Sequence, residues 1–166
     1  MKLLLGIILC IPLLLFTTVR TVKYVGFKFD CAQHIKRAAD ANTVDLARQE
    51  LKTVLAYCDD HRLTSGTVSI LFHQPKNDIG FWYTNMSASL RELNKVTDST
   101  SQLERSNLLI KLRETLIDHG ERGITITCPN GITVYPNNMA YFIWGVFGTI
   151  LLCVGAYLIM AFFMEL

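Results

Sequence analysis

The sequence predicts a mainly α-helical chain with one small β-hairpin, an α+β arrangement in which two transmembrane helices flank a compact helical domain. Three observations predict it. Apolar runs at Leu3–Val19 and Met139–Met164 each have about the length that crosses a hydrocarbon core roughly 30 Å thick. Between them, apolar residues recur at helical spacing behind residues suited to capping. Just before the second run, β-branched segments flank a Pro-Asn-Gly turn. The expected boundaries are residues 1–20 for an N-terminal signal anchor, 21–138 for the soluble domain and 139–166 for the C-terminal membrane helix.

The first run opens with Lys2 and a leucine-rich core, which resembles a signal sequence. Phe16-Thr17-Thr18-Val19-Arg20 offers no small-residue cleavage site, so an uncleaved anchor is expected. Pro12 in mid-helix is tolerable in a membrane where a neighbouring helix supports the bend.

The central region supplies the helices. Asp30 is placed to cap a short helix with Cys31, Ala32, Ile35, Ala38 and Ala39 on its apolar side. After a break at Asp40–Thr43, a second helix carries Val44, Ala47, Leu51, Val54, Leu55 and Cys58 on one face. Its other face holds Arg48, Gln49, Glu50, Lys52 and Asp59, and the two helices should form an antiparallel pair. Cys31 lies about 10 residues from the turn and Cys58 about 16; at 1.5 Å per residue the offset is roughly 9 Å, so the count does not pair them.

Thr67–Phe72 is β-branched and apolar and reads as a short strand. A third helix follows Asp78, with Ile79, Trp82, Met86, Leu90 and Leu93 on one face. A fourth begins at Ser101-x-x-Glu104, a capping-box pattern, and is apolar on two sides. Leu108, Leu109, Leu112 and Leu116 form the broad face; Leu103, Ile110 and Ile117 form a second stripe, either covered by the domain itself or a candidate interaction surface that awaits a partner. His119-Gly120 should stop it. Ile124–Thr127 and Ile132–Tyr135, joined by Cys128-Pro129-Asn130-Gly131, are the expected hairpin.

In the last run, Tyr141, Phe142 and Trp144 make an aromatic belt of the kind found at membrane interfaces. Gly145, Thr149 and Cys153 recur every fourth residue as a small-residue stripe, a candidate helix-packing face; Gly148 and Gly155 lie on an adjoining one. Two arguments on orientation oppose each other. Lys2 on one side against Arg20, Lys23 and Lys28 on the other favours a cytoplasmic domain. The signal-like start, and the indifference of long translocated domains to flanking charge, favour an extracytoplasmic one, which is the expectation taken.

Composition narrows the function classes. The chain is 51% hydrophobic with a net charge of +2, and no basic run with interleaved aromatics points to nucleic acid. Of five cysteines, Cys31, Cys58 and Cys128 fall in the central region, and no Cys-x-x-Cys occurs. The four histidines are scattered, and neither a nucleophile elbow nor a phosphate-binding glycine loop is present. Cys58-Asp59-Asp60-His61 is the densest run of ligating residues, but successive helical side chains diverge, so no metal site is expected. Phe81-Trp82-Tyr83 is the one aromatic run and a candidate ligand or interaction surface, with Trp82 also a natural core residue. Asn85-Met86-Ser87 fits a glycosylation sequon on a helix.

The stretches Lys36–Thr43, Asp78–Tyr83 and Leu103–Leu116 resemble a family of small, membrane-anchored bacterial proteins without an assigned function. The resemblance implies a bacterial envelope location and supplies no activity, ligand or catalytic residue. The expectation is a non-enzymatic integral protein of the bacterial inner membrane with a periplasmic domain, an accessory or scaffold subunit docking on a larger membrane complex, without cofactor, whose partners are the lipid bilayer and other membrane-protein subunits. The alternative is a membrane-anchored binding or sensing module for a small envelope ligand.

Overall fold

The computed structural model describes residues 1–120 and 123–165. It is mainly helical with a two-stranded antiparallel sheet, and it divides into two compact units, residues 1–25 with 133–166 and residues 26–132.

The first unit pairs two long apolar helices, α1 (Lys2–Phe27, whose last residues belong to the second unit) and α6 (Asn138–Met164). Each is long and apolar enough to cross a membrane, and little of either apolar window is covered by protein. They run antiparallel, because Phe16 meets Gly145, Leu13 meets Gly148, and Gly6 meets Gly155 and Ile159. The contact positions step by seven and three residues along α1 and by three, seven and four along α6, the seam spacing of helices crossing at a shallow angle. Two of these glycines are obligatory. A Cβ on Gly155 would stand 2.7 Å from the Gly6 carbonyl oxygen, and one on Gly6 2.7 Å from the Ile159 side chain. The Trp144 indole donates to the Pro12 carbonyl at 3.1 Å, and its ring meets Phe16 edge-on at 5.7 Å.

The second unit begins where α1 ends. Lys28–Ala32 is a π turn, in which the Gln33 N–H reaches the Lys28 carbonyl, and α2 follows (Gln33–Ala39). Asp30 is therefore inside a helical segment and caps nothing, since Phe27 before it is already helical. Helix α3 (Val44–Asp60) is capped by Thr43, whose hydroxyl accepts from Leu46 N–H. Helix α4 (Ile79–Asn94) is capped by Asp78 through Phe81 N–H at 2.9 Å, and α5 (Gln102–Leu116) by Ser101 through Glu104 N–H. α2 packs on α3, α3 on α4, and α5 lies against α2 and α4. The core between them holds Ile35, Leu51, Val54, Ile79, Met86, Leu93 and Leu116, all essentially without solvent contact.

The sheet is not where the sequence places it. It pairs β1 (Ile117–Gly120) with β2 (Gly123–Ile126), Ile117 opposite Ile126 and Gly120 opposite Gly123. Only Ile124–Ile126 of the expected hairpin is in a strand. Ile132–Val134 coils into a 3-10 turn, in which Ile132 N–H bonds back to Pro129 and Asn137 N–H to Val134. Those local bonds take backbone groups that a ladder would need. Thr67–Phe72 is likewise no strand: a single bridge joins Thr67 to Asp78, and Leu71 and Phe72 stand exposed. With no second edge to pair with, β propensity has nothing to act on.

Candidate functional site

The second apolar stripe of α5 splits in the structure. Leu103 is 71% exposed and Ile110 57%, while Ile117 has left the helix for β1 and is buried. The opposite side of α5 is anchored by Leu112 and Leu116 in the core. Leu103 and Ile110 stand seven residues apart, two turns of one face, and form a short apolar ridge on the surface. Near the ridge, Lys111 bonds both Glu92 carboxylate oxygens at 2.9 and 3.0 Å and fixes α5 to α4.

The aromatic run is parted by the helix period. Trp82 is buried at 6% exposure and donates its indole N–H to the Thr127 carbonyl at 2.6 Å. Phe81 stands 66% exposed. The Tyr83 hydroxyl donates to Asp59 at 2.7 Å, and that bond raises its pKa. Phe81 and Trp82 line a cleft of about 640 Å³ between α4 and the residues from Thr125 to Asn130. His73, Lys76, Asn85 and Asp118 bring polar groups to its walls, a mixture usual in small-ligand pockets, which span about 300–1,000 Å³. Burial pushes the Cys128 thiol on that wall up to about 11, against the thiolate a nucleophile needs.

The chain matches no family model, no curated protein and no solved structure.

Of the small-residue stripe on α6, only Gly145 packs, under the Phe16 ring. Thr149 and Cys153 face outward, and the packing face is Gly145, Gly148 and Gly155. Steps of four over-rotate a helix by about 40° each, so that stripe drifts off the seam, while alternating steps of three and four keep to it.

The ligating run at the end of α3 disperses, as its helical placement requires. Cys58 points into the core, Asp59 takes the Tyr83 hydroxyl, and His61 stacks on Tyr57 with ring centroids 3.9 Å apart. Among the described residues, no three His, Cys, Asp or Glu side chains come together.

Two arrangements escaped the sequence reading. Glu50, on the polar face of α3 by periodicity, is buried between His34 Nδ1 and Arg37 Nη2, each 2.6 Å from a carboxylate oxygen. The signal was available: His34 and Arg37, three apart on α2, present one face to α3. The second is Cys31, whose turn packs on α3 and brings it beside Cys58 despite the rise count. That count treats both arms as straight α-helices, whereas Cys31 lies in the π turn.

Proposed function

We propose that this chain is a non-enzymatic integral membrane protein, an accessory or scaffold subunit whose helical domain docks on a larger membrane complex. Both long helices span the bacterial inner membrane, and the central domain between them is periplasmic. The apolar, uncovered surfaces of α1 and α6 support the membrane location, since lipid is the solvent that matches them. The observation that carries the docking role is the Leu103–Ile110 ridge. Two large aliphatic side chains exposed two turns apart on a rigid helix match the i, i+7 anchors by which one helix seats on another. The occupant is a helix of a neighbouring membrane subunit.

The test is mild detergent extraction of the wild-type chain and of a Leu103→Asp/Ile110→Asp variant. A defined subunit that accompanies the wild type and is lost with the variant, at unchanged thermal stability, is the expected result. A wild-type monomer, free of other subunits at the mildest extraction, would contradict the docking role.

The second reading, a membrane-anchored module for a small envelope ligand, rests on the cleft beside Trp82. An exposed aromatic at its mouth and polar groups on its walls suit a small, partly apolar solute. Phe81→Ala separates the two readings: it should weaken ligand binding and leave a docked partner in place.

A further inference from the structure

Cys31, in the π turn, and Cys58, in the last turn of α3, are both completely buried. The turn packs against α3, Phe27 just before it meets Tyr57 beside Cys58 with ring centroids 6.0 Å apart, and the two thiols are near enough to act on each other's ionisation. Both positions are held from outside the pair. The π turn's wide i→i+5 bond closes on Lys28, and α3 ends in a left-handed Arg62 with Leu63 N–H returned to the Cys58 carbonyl at 2.7 Å. A bond between these sulfurs would tie the start of the domain to the end of its second helix.

We propose that Cys31 and Cys58 are a modification site, a dithiol pair that closes to a disulfide when the chain folds in the presence of a disulfide oxidant. One thiolate attacks the oxidant's disulfide and expels a thiol. The second thiolate then attacks the mixed disulfide and expels the other. Two cysteine thiols and one oxidant disulfide become one protein disulfide and two oxidant thiols, the two electrons passing to the oxidant. Timing follows from burial. In the folded, reduced chain no external disulfide reaches either sulfur, and the neighbouring thiol, with burial, raises the Cys31 pKa far above the ordinary range, leaving almost no thiolate. Oxidation therefore belongs to folding, before the core closes. Cys128, the third cysteine of the central region, is the competing partner.

The experiment makes the full-length chain by cell-free synthesis into detergent micelles, with oxidised or with reduced glutathione. Acid quenching, alkylation, digestion and mass mapping follow. The expected result is a linked pair of peptides holding Cys31 and Cys58 in the oxidised sample, Cys128 alkylated, and a thermal midpoint several degrees above that of the reduced protein. Reduced protein exposed to the same oxidant after folding should stay unlinked. Alkylation of both Cys31 and Cys58 in the oxidised sample, or a bond from either to Cys128, overturns the proposal. Equal linking of already folded protein overturns its dependence on folding.

Discussion

The indole N–H of Trp82 meets the carbonyl oxygen of Thr127 at 2.6 Å and so ties α4 to the segment that follows β2. Thr127 N–H in turn donates to the Leu116 carbonyl at the end of α5. One aromatic side chain thus holds the wall of the cleft to the helical core. Trp82→Phe keeps most of the ring and strands a carbonyl; it should cost about 1–2 kcal/mol. Trp82→Ala adds a cavity and should cost about 3–5 kcal/mol. Chemical denaturation of both variants checks the order; a Trp82→Phe variant as stable as the wild type would mean that the hydrogen bond contributes nothing.

The paired glycines of α1 and α6 make a prediction about the membrane unit. Gly155→Val puts a side chain where the Gly6 carbonyl already lies, whereas Thr149→Val changes only an outward position. Lys2 and Glu165 form an exposed ion pair at one end of this unit, within reach of a zero-length carbodiimide cross-link. The cross-link should form in the wild type and in Thr149→Val, and fall sharply in Gly155→Val. Unchanged cross-linking in Gly155→Val would show that the helices do not need the glycine contact.

Glu50 joins α3 to α2 through His34 and Arg37. Arg37 is largely exposed, so its share is small. Glu50→Ala removes a buried acceptor of two charge-assisted bonds, a loss of about 2 kcal/mol. A double-mutant cycle with His34→Gln, read by urea denaturation, should show coupling between the two sites; strict additivity would place Glu50's role elsewhere.

Two of the raised pKa values, beside those of Cys31 and Tyr83, bear on stability at alkaline pH. Burial lifts Cys128 from 9.0 to about 11, and burial first, then the nearby cysteine and aspartate charges, lifts Tyr57 from 10.0 to about 12. Both groups hold their protons more tightly when folded, so their contribution is complete below pH 9 and is lost as pH rises through 11 and 12. Thermal midpoints should be level near neutrality and fall from about pH 9 upward. Cys128→Ala should make that fall shallower, and an identical profile would remove Cys128 as one of its causes.

The helices of the second unit were readable because their signals are local. Thr43, Asp78 and Ser101 each cap within three residues, and apolar spacing names the buried side of α3 and α4. The hairpin was displaced because pairing depends on a partner edge, which propensity cannot supply. Ile132–Val134 carries the β-branched signature and coils, while Ile117–Gly120 reads as the end of a helix and pairs. Seams between helices were half legible. Small residues marked α6 as a packing helix, but the choice of Gly148 and Gly155 over Thr149 and Cys153 depends on what α1 brings opposite. Glu50 and Cys31 were missed for a related reason: a period assigns a residue to a face, and it takes a second helix to make that face an interior.

The docking claim is tested most directly by a photoreactive amino acid placed in turn at Leu103, Ile110 and Lys52 of the full chain in intact membranes. The account predicts a discrete protein adduct, of the same mass from Leu103 and Ile110, and none from Lys52, exposed on α3. Adducts with lipid alone, or no preference among the three positions, would contradict it.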